Sequence, residues 1–179
     1  MLADVYYALG DEDNILLTLN KACEYAPLDS RPIIKLSELS FLQGNPNLSN
    51  AYIDKALEID KYNPKAYYMR GMIAISVGDT TSALKNFMIS RDQQDGFVDP
   101  VVQIAHIYAA KNDTIAKLFF KEAIALSPEN YYHIYDYAMY LQDNGYPEEA
   151  MSCYDSLLEF IPNNVDVILQ MAKEIENGR

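Results

Sequence analysis

The chain repeats itself, and the repeat length limits the folds open to it. Small residues of the kind a close helix crossing needs recur at Ala3, Ser37, Gly71, Ala105, Ala138 and Ala172, at steps of 34, 34, 34, 33 and 34 residues. A second series, Ala22, Ala56, Ser90, Ala123 and Leu157, steps by 34, 34, 33 and 34. Turn pairs keep the same register: Gly10-Asp11, Gly44-Asn45, Gly78-Asp79, Asn112-Asp113 and Gly145-Tyr146. All three series share one deletion, near Thr114. A period of this length marks supersecondary units that bury a core only by stacking on their neighbours.

Inside each period the pattern is helical. From Asn63 to Val77 the residues Tyr67, Gly71, Ala74 and Ile75 fall at helical spacing. Gly78 predicts the stop, because glycine takes the left-handed conformation after a last turn without a Cβ penalty. A second helix is predicted from about Thr80 to Gln93, with Ala83, Phe87 and Ser90 on its inner stripe. Pro27, Pro64, Pro128 and Pro162 stand at the joints between hairpins, where a missing N–H costs least. No strand-like alternation competes with this reading.

These residues resemble the tetratricopeptide repeats, whose helical hairpins carry an aromatic, a Leu-Gly pair, a Tyr, then Ala-x3-Phe and a closing Pro. The fifth unit reads Ile134, Tyr137-Ala138, Leu141, then Ala150 with Tyr154, closing on Pro162. The fourth reads Val101, Ile104-Ala105, Tyr108, then Ala116 with Phe120 and Pro128, and the third Tyr67, Arg70-Gly71, Ala74, then Ala83 with Phe87. The second is weaker (Ile33, Leu36-Ser37, Ser40, Ser49, Ile53), and the first runs from Leu2-Ala3 and Tyr6 through Ile15, Leu19 and Pro27. Ile15 and Leu157 replace the expected alanine, which predicts looser hairpins there. The expected fold is therefore all-α: one array over 1–179, with units at about 1–29, 30–63, 64–97, 98–130 and 131–164 and a capping helix over 165–179. That last helix carries Ile168, Met171, Ala172 and Ile175 on one side. The resemblance implies a right-handed solenoid. Met1 falls about five residues inside a first helix, so the reading expects a segment cut from a longer protein.

In the resembled family, one side of the first helices lines a concave groove where ligands lie. Projection at 100° per residue places Lys65, Tyr68, Met72 and Ile75 opposite the hairpin core. Equivalent offsets give Arg31, Ile34, Glu38 and Phe41, then Asp99, Val102, His106 and Ala109, then Tyr132, Tyr135, Met139 and Gln142. The candidate peptide-binding residues are Ile34, Lys65, Tyr68, Met72, Ile75, Val102, His106, Tyr132, Tyr135 and Met139. Tyrosine and methionine suit an adaptable peptide surface, a rigid amphipathic ring beside a flexible thioether. Arg31, Lys35 and Lys65 make one end basic. Some relatives hold a C-terminal carboxylate with Lys, Asn and Arg, but here Glu38 and Met69 or Met72 stand where the asparagines belong. The alternative use of these side chains is packing between adjacent first helices.

Composition narrows the function classes. Half of the 179 residues are hydrophobic and 22% are charged, the balance of a folded chain. A formal charge of −12 repels phosphate backbones, so nucleic acid is not an expected partner. No run of 18 apolar residues is present to span a membrane. Cys23 and Cys153 lie in no metal or redox spacing and read as reduced, packed thiols, which points to the cytoplasm. His106 and His133 lack a second ligand at metal spacing, and there is no phosphate loop or nucleophile elbow. No catalytic residue, cofactor or metal is expected. Arg70 is predicted to pack its stem and offer its head to a carbonyl or carboxylate. The function read here is a scaffold that binds a peptide segment of a partner protein. The alternative is a spacer or self-assembly module, forming a homo-oligomer through an open N-terminal edge.

Overall fold

The computed structural model describes residues 11–177, and among them ten α-helices and no strand. They are α1 (Glu12–Tyr25), α2 (Ser30–Leu42), α3 (Pro46–Ile59), α4 (Pro64–Ser76), α5 (Thr80–Gln93), α6 (Val98–Ala109), α7 (Ala116–Leu126), α8 (Tyr131–Asp143), α9 (Pro147–Phe160) and α10 (Val165–Asn177). The predicted helices over Asn63–Val77 and Thr80–Gln93 are α4 and α5. Leu2, Ala3, Tyr6 and Gly10, assigned above to the first unit, lie outside the described residues.

A single turn device ends α2, α4, α6 and α8. Gly44, Gly78, Asn112 and Gly145 hold φ values of +75°, +80°, +52° and +78°. Behind each, the next N–H reaches back five residues: Asn45 N to Ser40 O, Asp79 N to Ala74 O, Asp113 N to Tyr108 O and Tyr146 N to Leu141 O, at 2.9–3.0 Å. This is the Schellman closure, which satisfies carbonyls that a helix end leaves orphaned. The one-residue deletion near Thr114 falls just after the third of these turns. The helix that follows, α7, has 11 residues where α3, α5 and α9 have 14.

The chain divides into two compact units, Met1–Asp95 and Gly96–Arg179. In the first, α2 packs on α3 and α4 on α5, while α1 lies against α2 and α3 against α4. The close crossings use the repeating small residues. Ser37 and Ser49 are fully buried and bonded to each other, Oγ to Oγ at 2.8 Å, and Ser49 Oγ donates to the Ser37 carbonyl at 2.9 Å. Gly71 lies under the Phe87 ring so closely that a Cβ there would stand 2.4 Å from a ring carbon. Two apolar clusters fill the remainder, Ile15, Leu19, Leu36 and Leu39 in one, Ile34, Ile53, Ala56, Ala66, Met69 and Ile73 in the other. Each large side chain so buried is worth about 1.5–3 kcal/mol.

The second unit packs α6 on α7 and α8 on α9, with α7 against α8 and α9 against α10. Its core is aromatic. The Phe120 ring meets Tyr137 and Tyr140 at 5.7 and 5.5 Å, and Phe119 stacks on Tyr108 at 5.7 Å. Lys117 ties α7 to the start of α9, its ammonium 3.2 Å from the Tyr146 ring centre and 2.8 Å from Glu149. Ala105, Ala138, Ala123 and Leu157 are all fully buried. Leu157 and Ile15, where the missing alanine predicts looser packing, are closed off from solvent.

Two expectations change. Helical projection places Ile34 on an open groove, yet it is 3% exposed and belongs to the core cluster between α2, α3 and α4. In α10 the expected inner face begins at Ile168, but Val167 is the buried residue while Ile168 and Leu169 stand exposed and Ala172 with them. One residue's difference rotates a helix by 100°, which is enough to exchange the two faces. Ile175, assigned to the same face, has its side chain outside the described residues.

Candidate binding surface

In the first unit the proposed face is carried by α4, which starts at Pro64 behind an Asn63 cap that accepts from Ala66 N at 3.1 Å. Lys65 is exposed, Tyr68 and Met72 are half-buried, and Ile75 is exposed. Tyr68 leans on the core with its ring 5.8 Å from that of Phe87. The basic end is already engaged locally. Arg31 grips Asp29 through two nitrogens at 2.6–3.0 Å, and Lys35 reaches Glu38 at 2.7 Å. The Arg31 guanidinium holds the Asp29 carboxyl below its ordinary range. Arg70 behaves as the sequence suggests, its head paired with Asp54 of α3.

In the second unit the face is carried by α8, and it is more open. Tyr132 is 62% exposed, Tyr135 and Met139 are half-buried, and from α6 come half-buried Val102 and exposed His106. His106 Nε2 stands 3.3 Å from Asp136 Oδ2, and its ring meets Phe120 edge-on at 5.6 Å. Met139 and Gln142 are anchored from below by the buried Tyr154 hydroxyl, which donates to Gln142 Oε1 at 2.6 Å and approaches Met139 Sδ at 3.3 Å. These bonds tie α9 to the underside of α8.

Two clefts open on this face and share Asp136. One, of about 350 Å³, is bounded by His106, Phe120, Asp136, Met139, Tyr140 and Asp143. The other, of about 330 Å³, runs between α8 and the start of α10. Tyr131, Tyr132 and Tyr135 form one wall, Asp136 and Asp166 supply carboxylates, and Leu157, Ile161 and Val167 give an apolar floor. The Tyr131 and Tyr132 rings lie 4.4 Å apart. Tyr131, Asp136, Asp143 and Asp166 escape the sequence reading, although Tyr132, Tyr135, Asp136, Met139 and Asp143 sit at i, i+3, i+4, i+7 and i+11, one helical stripe. A projection that follows the apolar half of that pattern passes over the acids within it.

His133 is different. It is buried at the start of α8 with Nε2 3.1 Å from the Asn130 side-chain amide, a structural contact. Among the described residues no group of three His, Cys, Asp or Glu side chains could hold a metal ion. Cys23 and Cys153 are unpaired, and burial pushes both thiols up from their ordinary values. Among the described residues no helix is long and apolar enough to cross a membrane.

Helical hairpins at a 34-residue step, closed by one turn type and crossing at small residues, define the tetratricopeptide-repeat fold, an all-α helical solenoid. Solved structures agree. The chain is similar to YrrB, described as a TPR protein with an unusual peptide-binding site, at 20% identity over 89% of this chain and 83% of that one, with a TM-score of 0.72. It is similar to a thermophilic TPR protein of Thermus thermophilus at 19% identity, covering 97% and 95%, TM-score 0.73. The C-terminal part of a TPR repeat-containing protein from Cytophaga hutchinsonii gives 16% identity, 97% and 69%, and TM-score 0.80. No protein-family model and no curated protein matches the sequence.

Proposed function

We propose that this protein is a non-catalytic scaffold that binds a peptide segment of a partner protein on the first-helix faces of its hairpins. The observation that carries this reading is the tyrosine-walled cleft beside α8, an exposed apolar-aromatic concavity supported by a packed layer beneath. Ligand sites are typically concave, mostly apolar and pre-formed, with a few placed polar groups. Tyr132, Tyr135, Met139, Val102 and His106 are the proposed contacts in the second unit, and Lys65, Tyr68, Met72 and Ile75 in the first. Ile34 supports the face from within the core. YrrB's description as peptide-binding lends the reading weight by analogy of fold alone.

A small set of anchors usually dominates such binding, so a micromolar affinity, about −8 kcal/mol, is the expected scale. Selection of random dodecapeptides on the immobilised chain tests the proposal, followed by calorimetry with the recovered sequences. Tyr132→Ala/Tyr135→Ala, with helicity confirmed by circular dichroism, should weaken them by tenfold or more. Recovery of no binding peptide, or equal affinity for both proteins, rejects the reading.

A second reading has an observation of its own. Val165, Ile168 and Leu169 stand 66%, 45% and 53% exposed on α10. Such a face suits stacking on another repeat in a spacer or self-assembling array, whereas the open N-terminal edge expected from the sequence lies outside the described residues. Light scattering separates the two: a concentration-dependent mass supports assembly, and a constant monomer mass supports the adaptor.

A further inference from the structure

We infer that the cleft between α8 and α10 takes a cationic side chain, lysine or arginine, flanked by an apolar residue of the bound segment. This rests on the peptide-binding reading and adds the chemistry of the ligand. The groups that border the cleft include two carboxylates, Asp136 and Asp166, and no lysine or arginine. Asp143 borders the adjoining cleft, which also holds no lysine or arginine. The surroundings reinforce the sign: residues 96–179 hold thirteen Asp and Glu against five Lys and Arg.

The wall chemistry selects among cations. Three tyrosines border one small space, and Tyr132 is 62% exposed, so its aromatic ring is accessible to an incoming charge. An ammonium or guanidinium within about 6 Å of a tyrosine ring centre is attracted by the ring quadrupole. A carboxylate beside the ring then accepts its N–H groups through short, charge-assisted bonds. The aliphatic stem of lysine or arginine covers the apolar floor of Leu157, Ile161 and Val167, as long charged side chains do. A neutral apolar residue would fill the floor but leave Asp136 and Asp166 facing it, and an acidic residue would be repelled. His106 lies 3.3 Å from Asp136 on the far side and leaves Asp166 open.

The test uses the whole chain and the same dodecapeptide library, scored for residue enrichment in the bound pool. Lysine and arginine should be enriched over input. Synthetic copies of the best peptides with the basic residue changed to glutamine should bind about tenfold more weakly, by loss of a charge-assisted contact. Asp136→Asn/Asp166→Asn, which keeps side-chain shape, should reduce the preference for the basic peptide over its glutamine copy to near unity. Peptides that bind and respond to Tyr132→Ala/Tyr135→Ala but show no preference for a basic residue would overturn this inference alone. Peptides enriched in Asp or Glu would do the same. A library that yields no binder removes the inference together with the reading beneath it.

Discussion

Two buried residues make opposite arguments about substitution. Gly71 sits mid-helix, where alanine is ordinarily worth about 1 kcal/mol more than glycine. The Phe87 ring occupies the space a Cβ would take, with three ring carbons at 2.4–2.9 Å. Overpacking of a filled core costs about 1–3 kcal/mol, so Gly71→Ala should destabilise, as a lowered urea midpoint. Tyr137 presents the reverse case. Its hydroxyl is buried with no hydrogen-bond partner, and an unsatisfied buried polar group costs about 1–3 kcal/mol. Tyr137→Phe should therefore be neutral or stabilising in the same assay. Burial, with Glu149 nearby, pushes the Tyr137 phenol up from 10 to about 12. The folded state thus keeps a proton that the unfolded chain gives up, and stability falls as pH rises from about 10 to 12. Tyr137→Phe should remove that group's share of the alkaline loss, visible as a flatter unfolding midpoint against pH.

At the scale of helices and turns, the Schellman closures carry much of the repeat's regularity. Gly78 holds φ +80°, and a Cβ added there would meet nothing within 4 Å, so Gly78→Ala isolates the backbone cost from any clash. A loss of about 1 kcal/mol in chemical unfolding is expected, the ordinary penalty for an L side chain in the left-handed region. These turns are legible in sequence because their chemistry is local: a glycine or asparagine just after an amphipathic run needs no tertiary information. Helix bounds are legible for the same reason, with Asn63 and Asp79 acting as caps. The inner face of α10 is not. Val167 and Ile168 are adjacent apolar residues, and only the helix packed beneath decides which one turns inward.

For the whole chain, repeat energetics predict a sum of unit stabilities and nearest-neighbour terms, so the core substitutions above should act largely within their own hairpins. Charge acts over longer range. At a net charge of −12, the protein should attract basic segments, and its copies should repel one another at low salt. If the cleft of Asp136 and Asp166 takes a cation, a basic peptide should bind more weakly as ionic strength rises from about 0.05 to about 0.5 M, because screening shortens the reach of exposed charges. The glutamine copy should respond less. Titration calorimetry at several salt concentrations measures both, and equal salt dependence for the two peptides would count against an electrostatic role for the cleft.

The sequence by itself determined the period, the hairpins, the turn types and the small-residue crossings, because each follows from spacing along one helix or from a single residue's backbone preference. It also singled out the stripe of Tyr132, Tyr135 and Met139. Only the tertiary structure separated Ile34, sealed in the core, from its counterpart Tyr135, half-buried, though both occupy the same place on a first helix. Exposure there depends on what the neighbouring helices cover. Asp136 and Asp166 likewise border one cleft although thirty positions apart, through packing of α8 and α10 around the end of α9. Periodicity is a property of the chain; which face remains free is a property of its neighbours.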